Sequence, residues 1–137
     1  LFHYRYPLLY PVARLKRLRV ADLRDIAAMK IAALSDRGSR KDFVDLYLIC
    51  TRRLPLSSIL RLYDRKYGAL KANFVHVCKS LTYFDAAEEE PMPVMLQPFR
   101  WEQMKAFFIG EVKQLMTRRA MGRRRRRAQQ SQRARSR

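Results

Sequence analysis

Residues 22–50 read DLRDIAAMKIAALSDRGSRKDFVDLYLIC, and this stretch sets the fold class. Apolar residues recur at three- and four-residue steps through Leu23, Ile26, Ala27, Ile31 and Leu34, which is one stripe of an α-helix. Asp22 is a good N-cap, and Asp25 adds negative charge to the first turn, where the helix dipole favours it. A helix is therefore predicted to about Ser35, with Gly38 in the loop beyond. A second helix follows over about Lys41 to Arg52. Its core, Phe43–Cys50, reads FVDLYLIC and is apolar at seven of eight positions, a pattern that predicts burial on every side.

Two charges contradict this apolar background. Lys30 falls in the middle of the first stripe, where a lysine either reaches out to water or meets an anion. Asp45 is the single charge of FVDLYLIC, and an unpaired buried carboxylate costs roughly several kcal/mol. Both residues lie about five positions or fewer from the connecting turn, roughly 6–8 Å at ~1.5 Å per residue, so they are predicted to face each other across a helical hairpin. Asp42 precedes Asp45 by one turn on nearly the same face. Arg37, Arg40 and Lys41 crowd the turn, and together with Lys30 they would suit a polyphosphate, lysine as a point charge and arginine as a fork. The competing reading is a buried Lys–Asp pair that only fixes the hairpin. Buried ion pairs are weak devices for stability, which tips the balance toward function.

Working outward, the remaining sequence predicts helices with little sheet. Residues 1–12 are aromatic but broken at Pro7 and Pro11, an edge strand or irregular lead-in. Arg14–Val20 alternates basic and apolar residues at period two, as a strand with one wet basic face would. Further helices are expected over about Pro55–Tyr67, stopped by Gly68, and about Lys71–Phe84. Asp85–Pro98 reads as an exposed loop whose acid run, Glu88–Glu90, is solvated or folds back on the basic tail. A final helix takes Arg100 to about Met121, with Trp101, Met104, Phe108, Val112 and Leu115 on its apolar face. Ser57 and Ser58 suit a helix cap better than a nucleophile. The expected fold class is mainly α, with a short strand remnant at the N-terminus.

The chain has 137 residues and a net charge of +18, unevenly spread. Arg118–Arg137 contains ten arginines and no acid, whereas residues 1–117 hold the other twenty basic residues and all twelve acids. Two units follow: a body, 1–117, and a tail, 118–137, the end of the last helix running into the segment Gly122–Arg137, expected to be a disordered polycation. Such a block binds nucleic acid without reading sequence. No run approaches the ~18–20 apolar residues of a membrane span. No secretory signal is evident, so a cytoplasmic protein with reduced core thiols at Cys50 and Cys78 is expected. His3 and His76 lack partners at ligand spacing.

The stretch Asp25–Ile49 resembles the AbiEii/AbiGii family of nucleotidyltransferase-like toxins, within the polymerase β-type nucleotidyltransferase superfamily. The family pattern is a Lys in an alanine-rich helix, an Arg, a Lys/Arg–Asp pair and an Asp before Leu, matched by Lys30, Arg37, Lys41, Asp42 and Asp45. Weaker likeness extends over about residues 1–117 and not the arginine tail. The resemblance implies that Lys30 engages a nucleoside triphosphate and Asp45 completes the active site, with Arg37, Lys41 and Asp42 supporting. It further implies NTP and Mg²⁺ as cofactors, an RNA such as tRNA as acceptor, a cognate antitoxin, and a role in bacterial phage defence by abortive infection. In the family a Gly-Ser loop and an Asp-x-Asp-like pair on an N-terminal sheet hold the metal. No Gly precedes Gly38 and no acid precedes Asp22, so these residues, which begin at Leu1 rather than Met, read as the helical C-terminal half of an α+β nucleotidyltransferase-like fold, truncated and inactive alone. The alternative is a small basic RNA-binding or helical interaction protein without catalysis.

Overall fold

The computed structural model describes residues 5–136. His3, with the rest of the first four residues of the lead-in, and Arg137 lie outside the described residues. Elsewhere the order is β1 (Ala13–Leu15), β2 (Leu18–Val20), α1 (Leu23–Asp36), α2 (Arg40–Arg52), α3 (Leu56–Tyr67), α4 (Leu70–Ser80), α5 (Asp85–Glu88) and α6 (Trp101–Arg135). The fold is mainly α.

The period-two run Arg14–Val20 is a hairpin rather than one strand. Lys16 takes a left-handed φ of 56°, which turns the chain so that Ala13 pairs with Val20, Arg14 with Arg19 and Leu15 with Leu18. Alternation read along one strand is therefore shared between two, with the arginine pair on one face and the apolar pairs on the other.

Asp22 caps α1 as expected, its carboxylate accepting the Arg24 backbone N–H at 2.9 Å. The Arg24 guanidinium beside it holds the Asp22 carboxyl down at about 2. Against expectation, the buried face of α1 is formed by Asp25, Ala27, Ala28, Ile31 and Leu34, while Leu23 is exposed. The small alanines let neighbouring backbones approach, and α1 packs against α3, α2 and α4. The core face is thus rotated away from Lys30, which sits at its margin.

Beneath α1 the core draws on Phe43 and Leu46 of α2, Leu56 and Ile59 of α3, and Val77 of α4. Phe43 meets Phe84, Trp101 and Phe108 with ring centroids 5.1, 6.2 and 5.8 Å apart, so this one side chain ties α2 to α6. The cap of α3 is Pro55 without a side-chain bond, not Ser57 or Ser58. Gly68 closes α3 at φ 63°, the left-handed cap that glycine takes without strain.

Three boundaries differ from the sequence reading. α4 ends at Ser80 rather than Phe84, because Leu81 and Phe84 are buried in a turn against the core. The acidic segment is not free: Asp85–Glu88 forms α5, Glu88 accepts from Trp101 Nε1 and Lys105 Nζ, and Glu90 accepts from Arg40. α6 does not stop near Met121 but continues to Arg135. Beyond Pro98 the chain contains no proline, and Arg, Ala and Gln are good helix formers. Only Met104 and Phe108 of α6 are buried; Val112 and Leu115 lie against the edge of the core, and contact with the body thins beyond them. Cys78 is buried and Cys50 half-buried. Burial, with Glu111 nearby, pushes the Cys50 thiol up to about 12, which leaves it unreactive.

Candidate functional site

The site is assembled where α1 ends and α2 begins. Ser39 caps α2: its hydroxyl accepts the Asp42 backbone N–H at 3.2 Å and donates to Asp42 Oδ2 at 2.6 Å. This reciprocal pair of bonds fixes the carboxylate at the first turn of α2. Onto it come Lys30 Nζ, 2.9 Å from Oδ1, and Arg37 Nε, 3.3 Å from Oδ2. Lys30 also lies 2.6 Å from Asp45 Oδ2. The ammonium and the Asp45 carboxylate thus meet across the hairpin, with Asp42 as a second acceptor on the same nitrogen.

The two carboxylates differ in surroundings. The Asp42 side chain is 4% exposed and that of Asp45 is 36% exposed. The sequence placed the buried acid at Asp45; the structure places it at Asp42. α2 is not buried on every side, because Lys41, Asp45, Leu48 and Arg52 recur along a face that borders a cleft. Burial alone would raise the Asp42 carboxyl, but the Ser39 hydroxyl, the Lys30 ammonium and the Arg37 charge outweigh it and hold the group below the usual carboxylate range. Burial likewise pulls on Lys30, and the bonds to Asp45 and Asp42 overcome it, raising the ammonium above its ordinary value. Lys30 is therefore a fixed cation and not a proton acceptor. Two of its three N–H donors are committed to carboxylates, which leaves one direction for an incoming oxygen.

Cavities lie on both sides of this ion pair. One, of about 470 Å³, is lined by Tyr6, Lys30, Arg37 and Tyr67 together with the acidic residues Asp36 and Asp42. Its tyrosines pack edge to face with centroids 4.7 Å apart. The other, of about 340 Å³, lies between α2 and residues 93–99, and Lys41, Asp45 and Arg52 line it. The Lys30–Asp45 contact joins a wall of the first to a wall of the second.

The predicted cluster of four cations divides. Lys30 and Arg37 share Asp42, and Lys41 lies on the 340 Å³ cleft. Arg40 turns away: its backbone N–H and guanidinium bond Glu90, and the guanidinium stacks 4.4 Å from the Trp101 ring centroid. Its task is to fasten the 88–101 segment, and it takes no part in the site.

Sequence reasoning missed four contributors. Ser39 was visible as a serine three residues before an acid, a capping pattern. Lys66 sits seven residues after Ile59 and three after Tyr63, both buried, so it is a lysine on an apolar stripe, the same signal that singles out Lys30. Its ammonium lies 2.7 Å from Asp25 Oδ1, both side chains fully buried. Asp25 also accepts the backbone N–H groups of Leu9 and Tyr10, and Lys66 donates to the Pro7 carbonyl. This pair straps the lead-in onto α1 and α3 and thereby brings Tyr6 to the cavity beside Lys30. Tyr6 and Tyr67 carried no sequence signal.

Among the described residues no three His, Cys, Asp or Glu side chains are grouped to hold a metal ion. Asp42 and Asp45 are both engaged by Lys30. The donor set present here does not fit the family's metal centre. Among the described residues no helix is long and apolar enough to cross a membrane.

Comparison with known proteins bears on this site. The chain is 36% identical over 118 residues to a protein of Aquifex aeolicus (strain VF5) named "Uncharacterized protein aq_aa25", a match covering 84% of this chain and 55% of that one. The chain thus spans about half the length of this curated relative. No solved structure matches. A family described as "Nucleotidyl transferase AbiEii toxin, Type IV TA system" matches residues 8–134, so the likeness does not stop near residue 117 but continues along α6 through most of the arginine tail. The chain belongs to the AbiEii nucleotidyl transferase toxin family.

Proposed function

We propose that these residues are the nucleotide-engaging helical part of a toxin that transfers a nucleotide from an NTP to an RNA such as tRNA. The observation that carries this reading is Lys30, held charged between Asp42 and Asp45 with a cavity of about 470 Å³ at its side. In this reading the free donor of Lys30 takes a phosphate oxygen, and Arg37, exposed and on the same cavity, takes a second. Asp42 is a positioning residue, because its oxygens are consumed by Ser39, Lys30 and Arg37. Asp45 is the more accessible carboxylate and orients the acceptor, with Lys41 beside it on the cleft.

Phosphoryl transfer assisted by two metal ions needs clustered carboxylates. Of those at the site, Asp42 and Asp45 are tied to Lys30. Asp36 stands on the cavity wall with no second free carboxylate beside it among the described residues. In this reading the Mg²⁺-holding groups are supplied from outside these residues. The chain therefore binds and aligns the nucleotide and is inactive alone. A cognate antitoxin is the expected partner, and defence of a bacterial cytoplasm against phage the expected setting.

The test is labelled NTP and tRNA incubated with this chain, with and without an AbiEii N-terminal half supplied in trans. Label should enter RNA only when both are present, and Lys30→Ala or Asp45→Ala should reduce it by about a hundredfold or more while the circular dichroism spectrum is unchanged. Full labelling with both variants would remove Lys30 and Asp45 from the site.

A further inference from the structure

On the side of the molecule formed by α4 and α6, a groove of about 320 Å³ has an apolar floor of Phe74, Val75, Met116 and Ala120. Arg119, Arg123, Arg124 and Arg127 border it, and no acidic residue does. Val75 and Met116 are half exposed, and the Arg119 guanidinium stacks 4.1 Å from the Phe74 ring centroid. Arg119, Arg123 and Arg127 stand at four-residue steps, a row of about 12 Å along the helix at ~1.5 Å per residue.

We infer that this groove is a docking surface for single-stranded RNA, which lays its phosphates along the arginine row and its bases against the apolar floor. A strand binder needs this combination: cations that follow a backbone, and apolar or aromatic faces that accept any base. The charge is complementary to a polyanion alone, since Arg118–Arg137 holds ten arginines and no acid. The five consecutive residues Arg123–Arg127 place charge on every face of α6. A helix that embeds in a membrane surface keeps one face apolar, and this segment has none. Like charges at three- and four-residue steps oppose the helix when it is free, so a bound polyanion relieves that repulsion as well. The choice of RNA rests on the transfer reaction proposed above; the groove itself does not.

The experiment measures binding of a fluorescent oligouridylate to the full chain across a salt series. Wild type should bind with a steep salt dependence. Replacing Arg119, Arg123, Arg124 and Arg127 by Ala should weaken binding by about tenfold or more and flatten the slope of log K against log salt by about 3, at ~0.7 per phosphate contact. Replacing Arg118 and Arg125, seven residues apart on the face of the helix turned away from the groove, should weaken binding far less than replacing the matched pair Arg123 and Arg127. Val75→Glu, which touches no arginine, should also weaken binding by about tenfold, with the helical circular dichroism signal retained in every variant. Equal losses from the two arginine pairs would overturn the groove in favour of a sequence-blind polycation. Equal or tighter binding to phosphatidylserine vesicles would overturn RNA in favour of a lipid surface. Because the probe needs no NTP and undergoes no reaction, loss of nucleotidyl transfer with binding intact would strike only the catalytic reading.

Discussion

Asp42 and Asp45 lie one helical turn apart and touch the same ammonium, yet their replacement should have opposite consequences. Asp42 is nearly buried and has three side-chain donors around it. Asp42→Ala removes an N-terminal partner of α2 and leaves Lys30 and Ser39 short of an acceptor, which should cost about 2–3 kcal/mol in urea unfolding. Asp45 is more than a third exposed, and Asp45→Ala should cost about 0.5 kcal/mol or less while damaging nucleotide transfer more. The pH dependence follows from the same contacts. In the fold the Asp42 carboxyl lies below its ordinary value, so the unfolded chain takes up the proton more readily. The stability it lends is complete above the unfolded value of about 3.9 and drains as the pH falls through the lower folded value. Asp25 contributes with the same sign, held low despite its burial by the Lys66 ammonium and the N–H groups of Leu9 and Tyr10. Asp42→Asn should therefore flatten the acid limb of stability below about pH 4 without abolishing it, measured as urea midpoints across that range. Lys30 runs the other way: its raised folded value keeps its contribution whole below the unfolded value of about 10.4 and loses it only at higher pH. Lys30 was legible in the sequence because a single lysine interrupts an alanine-rich helix. The deeper burial of Asp42 was not, since it depends on a rotation of α1 that only the packing of Ala27 and Ala28 against neighbouring helices reveals.

Among the elements, the described part of the lead-in, residues 5–12, has no regular structure of its own and depends on the buried Asp25–Lys66 pair. Three backbone groups, those of Pro7, Leu9 and Tyr10, end on these two side chains. Lys66→Met leaves the Asp25 carboxylate buried without its counter-charge and should cost about 3–5 kcal/mol. Adding Asp25→Leu removes the orphaned charge and should restore part of that loss. It cannot restore all of it, because the Leu9 and Tyr10 N–H groups then have no acceptor. Hydrogen exchange at those two amides should accelerate in the double variant while the helices keep their protection. Full recovery of both stability and amide protection would show that the carboxylate does not hold the lead-in. At this scale α1, α2 and α3 were legible from apolar periodicity, Asp22 and Gly68. The hairpin was misread because Lys16–Arg17 has none of the Asn or Gly that usually marks a two-residue turn. α5 was missed because four residues carry no period, and its acids are held by Trp101, Lys105 and Arg40, which are remote in sequence.

At the scale of the molecule the body and the basic helix are joined by continuity of α6 and by little packing. The core takes Met104 and Phe108 from this helix, and Val112 and Leu115 lie against its edge; beyond them the contacts thin to Arg119 on Phe74. Disorder was expected for Gly122–Arg137 because nothing there can be buried, and that premise holds, since every residue from Arg123 to Ser136 is exposed. The inference failed at the next step, because a helix that is already started extends without paying for nucleation again, and α6 is started by its buried first turns. Helix α6 crosses the expected boundary at residue 117 without a break, so a division into a body of residues 1–117 and a tail can rest only on energy. Truncation after Thr117 should leave the body's thermal midpoint within a few degrees of the full chain, about the size expected when no core contact is lost. Helical signal should fall by the share of α6 removed. In the intact chain, arginines three and four residues apart repel one another, and the Debye length shrinks from about 30 Å at 0.01 M salt to about 8 Å at 0.15 M. Raising salt over that range should increase helical circular dichroism in the full chain and leave the truncated chain unchanged. A fall of ten degrees or more in the truncated chain would mean that the arginine segment stabilises the body through contacts beyond the Arg119–Phe74 stack, and the two could not then be treated as separate units.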